Sequence, residues 1–287
     1  MTESTKVARL PGFDLHMHST ASDGALSPSE LVARAVDAAV EYMALTDHDT
    51  LAGLAEAQQA ANDAGLTLIP GVELTCLWNR RVLHLLGLGI DPDYPGWKDY
   101  EARLAELRVT RADKIARKLV ARGVPDNIIE LARAQAGDGQ IGRPHFARAL
   151  LAAGVVSSEN EAFDRYLGQG KPGDVKAEWP DIVESIDIIR KSGGFSILAH
   201  PTKYSLTFSR LRLLIAELAK SGIDGIEIGC PNVSRDQVGL LLRIADTLDL
   251  KISSGSDFHN PDMTWTRLGR FPAVESDRHL IYDFIRR

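Results

Sequence analysis

Cysteine is nearly absent from this chain, which contains only Cys76 and Cys230. Two cysteines are too few for a disulfide framework or a thiolate zinc site, so we interpret both as buried small hydrophobic residues. No apolar run approaches the roughly 20 residues that a membrane helix requires. The first residues, MTESTKVARLPG, also lack the apolar stretch of a secretory signal. We therefore expect a cytoplasmic protein without a membrane partner.

An excess of positive charge is missing as well, since 33 basic residues face 39 acidic ones and the net charge is −6. This balance argues against a surface that wraps duplex DNA, but it permits a small phosphorylated substrate. Nothing in the composition indicates disorder, and no obligatory protein partner is evident. A chain of 287 residues can bury a large core without metals, so any metal site is expected to be functional.

Strand-like apolar stretches alternate with amphipathic helical stretches from Phe13 onward, which predicts an α/β fold of strands joined by crossover helices. Ser27 as a cap, Pro28 in the first turn and Glu30 completing a capping box mark the first helix, which runs to about residue 40. Strand 43–46 follows it. The later helix and strand pairs are predicted at 51–64 and 66–70, 182–191 and 195–199, 208–221 and 224–228, and 234–248 and 251–254.

The number of these units, and the lack of a glycine-rich dinucleotide motif after the first strand, favour a barrel over a Rossmann sheet. Residues 97–170 break the alternation, because they show helical periodicity and no convincing strand. We expect residues 1–96 and 171–287 to form the barrel with its metal centre. Residues 97–170 are then an arginine-rich helical insertion docked on the barrel.

Six of the eight histidines lie in short motifs at the predicted ends or edges of strands, and a seventh, His145, lies in GRPHFAR at 142–148. The motifs are DLHMH at 14–18, TDHD at 46–49, GVE at 71–73, LH at 83–84, AHP at 199–201 and SDFH at 256–259. His16 and His18 alternate along a strand, so their side chains should point to the same side. His279 has no such context and is predicted to lie at the surface.

Any single histidine of this kind has only about a one in five chance of being a ligand, given how often histidine is an ordinary buried or surface residue. Separate ordinary explanations for all seven are harder to accept. Imidazole and carboxylate ligands suit Zn²⁺, Mn²⁺ or Fe²⁺. There are more candidate ligands than one ion can use, so we expect a cluster of two or three ions. Of the three metals, Mn²⁺ is the one that we expect. Such a cluster activates water and clamps phosphoryl oxygens.

In order along the chain, DLHMHS, TDHD, GVE, LAHP and SGSDFH resemble the motifs of the polymerase and histidinol phosphatase (PHP) superfamily. HSTASDGALSP, HLLGLGID, GRPHFAR and YLGQGKPGDV resemble its stand-alone branch of nucleoside 3′,5′-bisphosphate phosphatases and RNase AM-type enzymes. The resemblance covers nearly the whole chain. It implies a distorted (β/α)₇ barrel that carries a three-metal centre.

By this resemblance, His16, His18, Glu73 and Asp257 hold one ion, and Glu73 bridges to a second ion at His84 and His200. A third ion takes Asp23, His48 and His259. Among these residues, Glu73, Asp257 and His48 are expected to act in catalysis. Asp47 and Asp49 are then expected to orient His48.

The resemblance also points to the insertion for substrate recognition. Arg143 and His145 of GRPHFAR are candidates for a phosphate clamp, because guanidinium binds phosphate bidentately and imidazolium adds charge. Lys171 of the GKPG loop could reach the same anion. Without the resemblance, Arg143 could equally be a solvated residue at a helix start and Lys171 a flexible loop cation.

The expected reaction is hydrolysis of the 3′-phosphate of a nucleoside 3′,5′-bisphosphate, with 5′ to 3′ trimming of short RNA as a related activity. One alternative is a histidinol-phosphate-type phosphatase, which should lack the GRPHFAR insertion. The other is a non-catalytic metal-binding PHP module of a polymerase assembly. The complete ligand set and the absence of polymerase sequence disfavour that module.

Overall fold

Seven strands form one sheet, and ten α-helices accompany it in the computed structural model, which describes residues 12–285. Residues 1–11, which were considered for a secretory signal, lie outside the described residues. The strands are β1 (Phe13–Asp14), β2 (Tyr42–Leu45), β3 (Thr67–Trp78), β4 (Arg81–Leu88), β5 (Phe195–Leu198), β6 (Gly225–Gly229) and β7 (Lys251–Ser254). They are ordered β1 to β7 across the sheet. Helices alternate with most of these strands along the chain, which confirms the α/β prediction.

The helices occupy the intervals between strands and one long segment between β4 and β5. They are α1 (Pro28–Asp37), α2 (Leu54–Ala64), α3 (Gly96–Val120), α4 (Ile128–Ala136), α5 (Arg143–Ala152), α6 (Glu159–Ala162), α7 (Ile182–Lys191), α8 (Phe208–Lys220), α9 (Arg235–Leu248) and α10 (Ile281–Ile285). Within 12–285, none of them is both long and apolar enough to cross a bilayer. The predicted capping box of α1 is present, with Ser27 and Glu30 each bonding the other's backbone.

Most neighbouring strands are parallel, but β4 runs antiparallel to both β3 and β5. The prediction that the strands are all joined by crossover helices is wrong here. Asn79 and Arg80 both have positive φ, 46° and 65°, which makes a two-residue hairpin turn. The predicted strand 66–70 therefore continues through the site as β3, and the chain returns directly as β4.

The two edges of the sheet meet beyond β1 and β7. Leu15 N donates to Ser254 O at 3.2 Å, and His18 N donates to Phe258 O at 2.9 Å. Met17 and Phe258 form a parallel bridge between these bonds. These contacts connect the segments that follow β1 and β7 at the two edges of the sheet.

The described segment from Gly96 to Leu167 contains helices and no strand, as predicted. Its first helix joins two hydrophobic cores. Trp97 and Leu104 near the start of α3 pack in the core with the strands, whereas Leu119 near its end packs with Phe146 of α5 in a separate core. One helix therefore connects the sheet to the helical segment.

Cys76 and Cys230 are buried and free, which confirms their interpretation as small hydrophobic residues. The surface prediction for His279 is wrong, because only 2% of this residue is exposed. Its neighbours pair with β7 through Ile252, and its Nε2 lies 3.2 Å from Ser254 Oγ. Burial lowers the pKa of His279 to about 4, so the ring is neutral at pH 7.

Candidate metal centre

The predicted motifs meet at one end of the sheet. His16 and His18 follow β1, His48 follows β2 and His200 follows β5. The rings of His16 and His18 lie 5.2 Å apart, as their alternation along an extended segment predicts. Asp257 and His259 follow β7, next to this pair.

Glu73 and His84 reach the same place from within the β3–β4 hairpin. His84 lies directly opposite Thr75, two residues beyond Glu73. Directly opposed residues, and residues two apart on one strand, share a face of the sheet. The hairpin therefore presents Glu73 and His84 side by side, with Glu73 Oε1 2.9 Å from His84 Nδ1.

Five imidazoles surround the carboxylate of Glu73, which is fully buried. The nitrogens nearest Oε2 are His16 Nε2, His18 Nε2 and His48 Nδ1, each at 3.2 Å, and those nearest Oε1 are His84 Nδ1 and His200 Nε2, each at 2.9 Å. A carboxylate offers about four lone-pair sites, so it cannot bond all five nitrogens. Both ring nitrogens of His18 and Nδ1 of His48 make no hydrogen bond in spite of their burial.

Bound divalent cations would satisfy these buried nitrogens, because a cation accepts the electron pair of an imidazole nitrogen that has no hydrogen-bond partner. Nitrogen and carboxylate donors without thiolates suit Zn²⁺, Mn²⁺ or Fe²⁺. The residues therefore fit a divalent metal site on the chemistry of their own atoms.

Three groups of side chains have ligand atoms within 4.8 Å of one another. They are His16, His18, Glu73 and Asp257; His48, Glu73 and His84; and His18, Asp23, His48 and His259. The structure thus brings together all nine residues of the predicted ligand set, with His200 contacting Glu73. Which residue holds which ion stays a prediction.

Burial and the neighbouring histidines have opposite effects on the pKa values of the carboxylates in this centre. Burial alone would raise the pKa of Glu73, but His48, His16 and His84 lower it well below its usual value. Burial would likewise raise the pKa of Asp23, but His48 and His259 lower it well below its usual value. Both groups are therefore anions that attract cations.

Glu227 of β6 belongs to the site but was missed in the sequence. It is fully buried, and its carboxylate lies 2.9 Å from His16 Nδ1 and accepts a bond from His200 N at 2.6 Å. This contact directs the other ring nitrogen of His16 toward Glu73. The available signal was an acidic residue inside the otherwise apolar strand GIEIG.

The prediction that Asp47 and Asp49 orient His48 is wrong, because their carboxylates bond other groups. Asp47 accepts bonds from Ser19 and Ser22 and so fixes the loop after His18. Asp49 accepts the Thr75 backbone N–H at 2.6 Å and is paired with Arg108. These carboxylates therefore hold the backbone around the ligands.

Lys203, also missed, lies in the short 3₁₀ helix Pro201–Tyr204 after His200 and pairs with Asp257 Oδ2. Burial would raise the pKa of Asp257, but Lys203 and His16 lower it well below its usual value. The other oxygen, Oδ1, lies 3.4 Å from His16 Nε2. Lys203 thus restrains one oxygen of Asp257 and leaves the other facing the histidines.

The three predicted substrate-binding residues have different environments. Arg143, half-buried in the first turn of α5, donates from Nη1 to Leu167 O at 3.3 Å. Lys171 is exposed. His145 is buried, and its Nδ1 accepts the Gly142 N–H at 2.9 Å.

Burial and the nearby Arg148 lower the pKa of His145 to about 4. The expectation that this ring adds positive charge is therefore wrong. His145 instead bonds Gly142, the residue that caps α5 and immediately precedes Arg143. The ring fixes the helix start from which Arg143 projects.

Arg108 and Arg111 of α3 extend the positive charge near Arg143. Their guanidinium carbons lie 5.6 and 5.8 Å from the ring centroid of Trp179. Burial, Arg143 and Arg108 lower the pKa of Arg111 to about 9. The repulsion between these like charges makes the cluster receptive to an anion.

A cleft of about 260 Å³ adjoins the candidate metal ligands. Asp23, Asp257 and His259 of the candidate centre line it, together with Pro144, Arg148 and Phe163 of the helical segment. The centre therefore opens toward the helical segment.

Residues 14–184 match the PHP domain family. The chain is 45% identical to the 5′-3′ exoribonuclease of Haemophilus influenzae, over 90% of this chain and 93% of that protein. It is 37% identical to the 3′,5′-nucleoside bisphosphate phosphatase of Chromobacterium violaceum, over 88% of each. A solved structure of an amidohydrolase from Chromobacterium violaceum, with bound sulfate and no metal, aligns with a TM-score of 0.88 and 35% identity over 96% of each chain.

Proposed function

Because this chain belongs to the PHP domain family, we propose that it is a metal-dependent phosphoesterase acting on nucleotides. The proposed reaction removes the 3′-phosphate of a nucleoside 3′,5′-bisphosphate and yields the nucleoside 5′-monophosphate and phosphate. Trimming of short RNA from its 5′ end is proposed as a second activity of the same centre. The names of the two relatives support both reactions. The observation that carries the proposal is the set of five imidazoles around the buried Glu73.

The proposed ligands fall into three sets, and Glu73 is shared by the first two. They are His16, His18, Glu73 and Asp257; Glu73, His84 and His200; and Asp23, His48 and His259. Mn²⁺ is the proposed ion, and Zn²⁺ or Fe²⁺ would suit the same donors. When bound, such ions supply Lewis acidity that activates water and stabilises charge on phosphoryl oxygens.

The chain's own residues prepare this chemistry by fixing the ligands. Glu227 holds His16 through Nδ1, so His16 Nε2 faces Glu73. Lys203 holds Oδ2 of Asp257, and Oδ1 remains directed at His16 and His18. The ligand geometry is therefore set before a substrate arrives.

The helical segment 97–170 is proposed as the substrate-binding part, and the remaining residues as the barrel. Arg143 and Arg111 have no carboxylate within 4 Å among the described residues, although Asp174 influences both. A phosphate would supply the missing negative charge, and a guanidinium can bind it bidentately. We assign the 5′-phosphate to Arg143, with Lys171 at the same anion and His145 fixing the start of α5.

A hydrolysis assay tests this proposal. The protein, stripped with a chelator and reloaded with Mn²⁺, is given nucleoside 3′,5′-bisphosphates and histidinol phosphate, with release of inorganic phosphate measured, and a 5′-phosphorylated oligoribonucleotide, with release of nucleoside 5′-monophosphate measured. We expect release from the bisphosphate to exceed release from histidinol phosphate, and activity to disappear with the chelator. Faster hydrolysis of histidinol phosphate would support the amino-acid-pathway alternative. No hydrolysis at full metal content would support a non-catalytic module.

A further inference from the structure

Trp265 stands at the rim of the cleft beside the metal centre, with 55% of its surface exposed. Trp97 and Trp179 are buried in the core, and Trp78 is half-buried against it. Of the four tryptophans, Trp265 is therefore the one whose ring is mostly free to meet a ligand. An exposed aromatic residue has no special meaning elsewhere on a surface, but here it borders candidate metal ligands.

The backbone on both sides of Trp265 is anchored. Thr266 is buried, and its Oγ1 donates to Ser256 O at 2.8 Å, next to Asp257. Leu268 is buried in the core that contains α1 and α2. Before Trp265, Met263 N closes a turn on Asn260 O at 3.1 Å. The indole is thus carried by a fixed segment that also supplies metal ligands.

The cleft combines aromatic, cationic and metal-binding groups. Phe163 lines it beside Trp265, and Arg148 and Lys203 add positive charge. Arg148 donates from Nη2 to Asp23 O at 3.1 Å, but its buried Nε has no hydrogen-bond partner. A ligand that joins an anion to a flat apolar ring matches this combination.

We propose that Trp265 is a specificity-determining residue that stacks on the nucleobase of the substrate while its phosphate lies at the metal centre. This inference rests on the proposed nucleotide phosphoesterase activity. Every base has a π-face, so stacking on an indole recognises a nucleotide without selecting its sequence. Such recognition suits both a single nucleotide and the end of an RNA chain.

The test compares Trp265→Phe, which keeps an aromatic face, with Trp265→Leu, which keeps an apolar side chain without one. The Mn²⁺-loaded enzymes hydrolyse adenosine 3′,5′-bisphosphate and the same sugar bisphosphate with hydrogen in place of the base. Trp265→Leu should lower kcat/KM for the adenosine substrate by about 5-fold to 100-fold, the range expected for loss of one base–aromatic stack. Trp265→Phe should retain most of the activity, and neither variant should change hydrolysis of the base-free substrate.

Leu213→Ala on α8, where 61% of the leucine is exposed, controls for loss of an exposed apolar side chain. Binding of adenosine 5′-monophosphate to the same loaded proteins is measured by calorimetry, and Trp265→Leu should weaken it in parallel. Equal losses on both substrates, or no loss on either, would overturn the stacking role. So would a change only in oligomeric state, which would make Trp265 an interface residue. If the wild type binds adenosine monophosphate but hydrolyses neither bisphosphate, the proposed reaction fails and the binding comparison still decides the role of Trp265.

Discussion

Arg108 reaches from α3 to Asp49, and both its Nε and its Nη2 contact Asp49 Oδ2, at 2.7 and 2.6 Å. Asp49 is fully buried, and only 7% of Arg108 is exposed. The other oxygen of Asp49 bonds the backbone of Thr75 in β3. One ion pair therefore ties the helical segment to the hairpin that carries Glu73 and to the loop that carries His48.

Removing either partner of this pair should be costly. Arg108→Met or Asp49→Asn leaves a buried polar partner without its counterpart, so each should lower the free energy of unfolding by about 3 kcal/mol. The double variant should lose less than the sum of the two single losses, because it leaves no unpaired charge. Urea unfolding of the four proteins measures the coupling.

The exposed pair between Arg133 and Asp113 is a matched control, since it also joins α3 to a neighbouring helix. Arg133→Met should cost less than about 1 kcal/mol. Additive losses for Arg108→Met and Asp49→Asn would show that the buried pair is not coupled.

Glu73→Gln tests the centre itself. The substitution preserves size but removes the negative charge that five imidazoles surround, so at least one metal ion per chain should be lost. Activity should fall by more than about 100-fold, beyond the loss typical of residues that only support ligands. Elemental analysis and phosphate release measure the two effects, and circular dichroism checks the fold. Full metal content with near-normal kcat would contradict the proposed bridging role.

Glu227→Gln should weaken metal binding without removing a ligand. The amide can still accept a hydrogen bond from His16 Nδ1. It lacks the negative charge that makes the other ring nitrogen, Nε2, a stronger metal ligand. Loss of such a supporting contact lowers metal affinity by about 10-fold to 100-fold. Equilibrium dialysis against buffered Mn²⁺ gives the affinity. Glu184→Gln on α7, a half-exposed partner of Arg103, should change nothing. Unchanged affinity for Glu227→Gln would assign Glu227 to folding alone.

Local patterns in the sequence predicted much of the fold. Ser27 and Glu30 cap α1, and α7 and β7 have the predicted bounds, because caps and hydrophobic periodicity depend on nearby residues. The β3–β4 hairpin was not predicted, since the turn at Asn79 and Arg80 contains no glycine. Positive φ at two such residues depends on the pairing of the flanking strands.

In the candidate site, too, some residues could be predicted from local sequence and others could not. Histidines placed after strands were predictable, because parallel strands end at a common edge. Glu227 could not be recognised, because its partners His16 and His200 are distant in sequence and only the closed sheet brings them together. The surface prediction for His279 failed for a related reason. Its polar neighbours in sequence indicated an exposed position, whereas pairing with Ile252 of β7 buries the residue.

His279 should make stability sensitive to acid. Its pKa is lowered from 6.5 to about 4 by burial, so the folded state favours the neutral ring. This contribution is fully present above pH 6.5 and is lost as the pH falls toward 4, by at most about 3 kcal/mol. His279→Gln, which stays neutral, should lose less stability than the wild type over this range. Urea unfolding at pH 7, 5.5 and 4 measures the difference, and parallel curves would contradict it.

The last prediction concerns how Arg143 chooses the substrate. If it holds the non-reacting 5′-phosphate, Arg143→Ala should leave the metal content unchanged. A charge-assisted contact contributes about 1.5 to 3 kcal/mol, so kcat/KM for a nucleoside 3′,5′-bisphosphate should fall by roughly 10-fold to 150-fold. Arg143→Lys should recover part of this, since it keeps the charge without the bidentate geometry. Steady-state phosphate release with each variant gives these values.

A nucleoside 3′-monophosphate already lacks the 5′-phosphate that Arg143 is proposed to bind. Arg143→Ala should therefore barely change its hydrolysis, as in a double-mutant cycle with one partner on the ligand. Arg117→Ala, an exposed position on α3, should leave both substrates unaffected. If Arg143→Ala impairs both substrates equally, the guanidinium acts on the reacting phosphate or on the fold, because a contact to the 5′-phosphate cannot slow a substrate that has none.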